Sequence, residues 1–459
     1  MNTLIIISVL PIIILYLGLY KAKKALLPVT IIGLLTALGF ACAQWGNEPA
    51  PTFSGMLQFN NFSIAFSALT IVSTILILLL SKDYFERISD HVAEYYAVIL
   101  FSLAGVIVML SYHNLTMLFI GIEIMSVSLY ILAGIKKNDF ASNEAALKYF
   151  LMGAFSTGFL LFGIALIYGA SGSFDLTDIR NWILMNPRHI DPLFYTGILL
   201  MIVGLCFKIG AAPFHFWTPD VYEGSPTLIT AFMSTVVKTA GIAAFLRLFS
   251  TCFNPISSFW VPTLLIITML TLFIGNITAL YQQSFKRMLA FSSISHAGYL
   301  LFAIVALNSS SANAVLTYAT AYSIASIIAF GVLILVRQQA GTDNFTAFDG
   351  LAKKNPFLAF TLTVAMLSLA GIPLTAGFIG KFFMFSGALS QYQVALVIIA
   401  VINAIISIYY YFRVIVAMYF NAAEPAEVAV PPYYTFVLGF SALATIVIGV
   451  YPVLVSGLI

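Results

Sequence analysis

The sequence predicts an all-α polytopic membrane protein with about 14 transmembrane helices. These include two inverted five-helix repeats, in which helices seven and twelve are broken. Three observations carry this prediction. First, 61% of the 459 residues are apolar and only 8% are charged, against about 25% charged in soluble domains. Second, apolar runs of about 20 residues, enough to cross a bilayer, follow one another along the whole chain. Third, two of these runs carry an internal proline beside a glycine, which breaks a helix at membrane depth.

The spans are expected at 3–20, 26–45, 61–81, 92–112, 115–133, 143–170, 194–217, 227–248, 258–281, 287–307, 313–337, 356–388, 394–420 and 432–457. The N-terminus is apolar from Leu4 and lacks a basic leader and a small-residue cleavage site, so it reads as a first span. The longest loops, 171–193 and 338–355, are short caps rather than soluble domains. The chain divides into an N-terminal three-helix segment (1–91), a first five-helix repeat (92–250), a second (251–420) and a C-terminal helix (421–459).

Lys and Arg set the orientation. One set of loops holds Lys21, Lys23, Lys24, Lys82, Arg87, Lys136, Lys137, Lys286, Arg287, Arg337, Lys353 and Lys354. The other holds only Arg180 and Arg188, with Arg247 at a helix end. The first set is therefore cytoplasmic, and both termini face outward. The net charge is +3, with no basic block beyond Lys21-Ala22-Lys23-Lys24, so no nucleic-acid partner is expected. The chain has no Walker loop, dinucleotide fingerprint, haem motif or flavin motif. Cys42, Cys206 and Cys252 show no ligand spacing and read as buried free thiols. No cofactor or metal is expected in this chain.

Pro213 follows Gly210 in span seven, and Pro373 follows Gly371 in span twelve. Each proline removes a backbone hydrogen bond. Irregular backbone at this depth is tolerated only where protein or a water-filled cavity satisfies it, so the breaks predict an internal polar path.

Glu123, Lys208, Lys238 and Lys381 lie within apolar spans, where each charge costs roughly 2.5–3.5 kcal/mol on insertion scales. That cost points to function, and proton movement is the chemistry these groups share. A structural ion pair, or a lysine that only satisfies broken-helix carbonyls, is the plainer alternative. Lys148 and Arg413 lie nearer span ends and read equally well as snorkelling. His215 follows the first break, and His296 sits in a polar stripe. Imidazole is suited to proton relay.

The run Pro213-Phe214-His215-Phe216-Trp217-Thr218-Pro219-Asp220-Val221-Tyr222-Glu223-Gly224-Ser225-Pro226-Thr227 resembles a signature of the antiporter-like membrane subunits of respiratory complex I, and its Trp-Thr-Pro-Asp-Val-Tyr-Glu-Gly form is similar to the N-type subunits. Lys286-Arg287-Met288-Leu289-Ala290-Phe291-Ser292-Ser293-Ile294-Ser295-His296-Ala297-Gly298-Tyr299 resembles a second family signature.

The resemblance implies two half-channels joined by a central polar axis. On that axis Glu123 matches the fifth-helix glutamate, Lys208 and Lys238 the seventh- and eighth-helix lysines, and Lys381 the twelfth-helix basic residue. It implies a multi-pass protein of the bacterial inner membrane. The implied partners are an M-type antiporter-like neighbour, small K- and J-type subunits and the L-subunit lateral helix. NAD, FMN, iron–sulfur clusters and quinone are expected in partner subunits. A free-standing or Mrp-type cation/proton antiporter is the alternative of the same fold. A non-transporting scaffold is the alternative from another class, and four buried charges argue against it.

Overall fold

The structure is a computed structural model that describes residues 1–47, 51–187, 190–391, 393–421 and 428–459. Arg188, used in the orientation argument, lies outside the described residues. The helices are α1 (Asn2–Leu19), α2 (Lys23–Ala43), α3 (Asn61–Leu79), α4 (Val92–Ser111), α5 (Leu115–Ala133), α6 (Phe140–Ser171), α7 (Leu176–Met185), α8 (Pro192–Ile209), α9 (Trp217–Gly224), α10 (Thr227–Thr251), α11 (Ser257–Leu280), α12 (Phe285–Val305), α13 (Ser311–Ala340), α14 (Pro356–Ala370), α15 (Ala376–Ser390), α16 (Val394–Phe420) and α17 (Pro432–Val450). Among the described residues thirteen helices are long and apolar enough to cross a membrane. α14 and α15 have 15 residues each. Each spans about 22 Å at 1.5 Å per residue, too short for a bilayer core of about 30 Å, so together they form the expected broken twelfth span.

Polar caps start the helices where the sequence places Asn or Asp. Asn60 accepts from Ser63 N, Asn114 from Thr116 N, Asp139 from Ala141 N and Asp191 from Leu193 N. Each cap satisfies an amide that has no partner within its own helix. Asp175 does the same for Thr177 N at 2.8 Å. This cap starts α7 inside the 171–193 loop, so that short cap is itself helical.

Span seven ends at Ile209 rather than near 217. Gly210 adopts φ +71°, its amide bonds Phe207 O, and the Ala211 amide bonds Cys206 O. Span twelve breaks in the same way. Gly371 adopts φ +84°, its amide bonds Ser368 O, and the Ile372 amide bonds Leu367 O. Both turns are Schellman motifs, whose left-handed position favours glycine. A second-half side chain packs over each glycine: Thr218 over Gly210 and Lys381 over Gly371. The last helix also stops earlier than expected, at Val450, because Pro452 follows.

α10 and α12 are buried throughout their most apolar eighteen residues, whereas α1 and α2 are buried over only 28% of theirs. The core therefore lies around α10, α12 and α13, and α1 and α2 form an edge. Cys42 on α2 is consequently exposed, contrary to expectation, while Cys206 and Cys252 are buried. Within α10, Met233–Val237 forms a π-helical turn directly before Lys238, a feature that often marks functional sites.

Candidate proton-transfer axis

Glu123 lies on α5, which packs closely on α4. A Cβ on Gly121 would meet Met109 N at 2.8 Å, and one on Gly105 would meet Met125 N at 2.6 Å. Glu123 is half-buried, and its buried Oε1 has no hydrogen-bond partner among the described residues. Lys208, in the last turn of α8, donates to Ser126 Oγ at 2.9 Å. Ser126 lies three residues beyond Glu123 and therefore on the same face of α5. Ser126, rather than the Glu123 carboxylate, meets the Lys208 ammonium. Among the described residues no ion pair joins Glu123 and Lys208 within 4.0 Å.

Lys238, following the π-turn, donates to both the carbonyl and the hydroxyl of Ser293 on α12. The Tyr322 ring lies 6.0 Å from its ammonium. One turn further along α12, His296 uses both ring nitrogens. Nδ1 is 2.7 Å from the Tyr318 hydroxyl, and Nε2 is 3.0 Å from the Tyr411 hydroxyl. Tyr411 is in turn 2.5 Å from Ser292 Oγ. A narrow cavity of about 10 Å³, room for about one water, lies between His296 and Lys381, lined also by Tyr318, Tyr322 and Ser368.

Lys381 donates to Leu369 O at 3.1 Å and Ala370 O at 2.8 Å. It thus satisfies the carbonyl end of α14, where the helix dipole favours a cation. Lys238, His296 and Lys381 therefore gather around one polar centre. Glu123 and Lys208 form a second group around Ser126. His215 joins neither: it is buried, and its Nδ1 has no partner among the described residues.

Several contributors escaped the sequence reading. Ser126, Ser293, Tyr318, Tyr322 and Tyr411 line the axis, and the only signal for them was hydroxyl-bearing residues recurring inside apolar spans. One further reading needs correction, and the weaker candidates find partners. Lys148, partly exposed, lies 2.7 Å from both Glu144 and Asp220. Arg287 also pairs with Asp220, at 3.2 Å, and with Glu223. Burial alone would raise the Asp220 carboxyl, but Lys148 and Arg287 outweigh it and hold that group below the usual carboxylate range. Lys286 is not a loop lysine. It is fully buried, and its ammonium donates to Glu223 O and Ser225 O. Arg413 is held by Gln282 O and Gln283 Oε1.

The family model described as NADH:quinone oxidoreductase/Mrp antiporter, TM, matches residues 112–407. The NADH-quinone oxidoreductase subunit N of Cytophaga hutchinsonii is 42% identical over 456 residues, covering 98% of each chain. A chain of respiratory complex I from Thermus thermophilus, solved with bound aureothin, superposes with a TM-score of 0.85 at 32% identity, covering 99% of this chain and 98% of that one. A chain of the Mrp complex from Dietzia shares the fold at TM-score 0.87 but only 20% identity, over 99% of this chain and 95% of that one. By its length of match and its similarity to the N subunits, the chain belongs to the NADH:quinone oxidoreductase/Mrp antiporter family, in the subunit N branch.

Proposed function

We propose that this chain is the proton-translocating N-type membrane subunit of an NADH:quinone oxidoreductase. Its own residues bind, hold and pass protons, while redox chemistry on NAD, FMN, iron–sulfur clusters and quinone runs in partner subunits. Those partners are an M-type antiporter-like neighbour, K- and J-type small subunits and the L-subunit lateral helix. The lysine- and arginine-rich face is cytoplasmic, the termini face outward, and the membrane is the bacterial inner membrane. The two five-helix units, 92–250 and 251–420, each contribute one broken helix, and the matching caps at Gly210 and Gly371 support that division.

The observation that carries this reading is the buried string Lys238–Ser293 and His296–Tyr318, with His296 and Lys381 lining one narrow cavity. A proton on Lys208 is held when Glu123 approaches and is released toward Lys238 when the carboxylate is neutralised or drawn away. The open arrangement, with Ser126 on Lys208 and Glu123 Oε1 free, is the releasing state. From Lys238 the proton reaches His296, and Lys381 exchanges it with the outer side.

The test is Glu123→Gln in the intact complex, reconstituted into vesicles, with NADH oxidation and proton uptake measured together. Proton uptake is expected to fall. Unchanged uptake per NADH in a fully assembled variant would refute the relay. Sodium-dependent proton exchange without NADH would instead assign the chain to the free antiporter class.

A further inference from the structure

A cleft of about 620 Å³ opens on the lysine- and arginine-rich face. Tyr84 and Arg87 come from the loop after α3, His91 and Tyr95 from the start of α4, and Lys136 and Lys137 from the loop between α5 and α6. Arg87, Lys136 and Lys137 have no carboxylate within 4.0 Å among the described residues. The lining carboxylate, Asp139, caps α6 through Ala141 N at 3.1 Å, and His91 pairs with Glu94 at 3.2 Å.

Lys136 is half-buried. Burial and the like charge of Arg337 push its ammonium below the ordinary lysine range, and Asp139 only partly offsets them.

We propose that this cleft binds the phosphate of an anionic phospholipid head group from the adjoining leaflet. A phosphate oxygen pair fits the guanidinium fork of Arg87, and the two ammonium groups supply point charges. Basic pockets between transmembrane helices recognise such head groups. Ile88 and Ile135 provide apolar wall for the glycerol and the roots of the acyl chains. Free inorganic phosphate offers the same oxygens without the apolar part.

The experiment uses the assembled complex in vesicles that carry a photoactivatable phosphatidylglycerol or phosphatidylcholine, with labelled peptides mapped on this chain. Phosphatidylglycerol is expected to label the segments 84–95 and 135–139 several-fold more than phosphatidylcholine. The triple variant Arg87→Gln, Lys136→Gln, Lys137→Gln is expected to lose that labelling while lipid-facing positions elsewhere keep theirs. Equal labelling by the two lipids, or undiminished labelling in the variant, overturns the proposal. Protection of the cleft by inorganic phosphate, with no lipid labelling there, also overturns it and assigns the site to a small anion. If the triple variant does not assemble, the wild-type ratio and the single variant Lys137→Gln decide the matter.

Discussion

Gly371→Ala tests the link between the second break and Lys381. At φ +84° an alanine in the left-handed region costs about 1–2 kcal/mol. The new Cβ would also stand 2.8 Å from Lys381 Cδ and 3.1 Å from its Nζ. A flexible lysine normally yields, but this one is held by the carbonyls of Leu369 and Ala370. Moving aside loses at least one hydrogen bond to a charged group, about 1.5–3 kcal/mol. The combined cost is therefore about 2.5–5 kcal/mol, and part of it falls on the axis itself. Gly341→Ala is the control, with φ +72° and nothing within 4 Å of the added atom. The assay is NADH-driven proton uptake in reconstituted vesicles alongside thermal unfolding. Both variants should lose stability, Gly371→Ala more, and only Gly371→Ala should lose proton uptake per NADH. Equal uptake in the two variants would refute the reasoning that Lys381 depends on this turn.

Three further outcomes are expected. Ser293→Ala removes one of the two Lys238 partners and should lower proton uptake, whereas Ser295→Ala should lower it less, because the Ser295 hydroxyl donates to Ser292 O and not to Lys238. Gly121→Ala forces a Cβ to within 2.8 Å of Met109 N and should destabilise the protein by about 1–3 kcal/mol through overpacking, read as a lower Tm in detergent. Gly158→Ala, with open space around it, should be neutral. Asp220 is held below its ordinary value by Lys148 and Arg287, so its stabilising effect is complete above about pH 4 and fades as pH falls through the lowered value. Asp220→Asn should flatten that acid slope in a Tm profile, and an unchanged slope would count against the Lys148–Asp220–Arg287 cluster.

The sequence alone determined the membrane class, the order of the spans and the positions of the two breaks. Long apolar runs, prolines beside glycines and charges inside spans are local signals, visible in the chain before any neighbour is known. Glu123, Lys208, Lys238, His296 and Lys381 were legible for that reason. Only the tertiary structure decided what each of them touches. Ser126 rather than Glu123 meets Lys208, Tyr318 and Tyr411 take the two nitrogens of His296, and Lys381 caps a helix from beyond the break. His215, just as conspicuous in the sequence, stands apart. The burial of Lys286, the pairing of Lys148 and the exposure of Cys42 escaped the reading for the same reason. Span periodicity shows how deep a side chain lies along its own helix, whereas its partners depend on how helices far apart in the chain rotate and pack against one another.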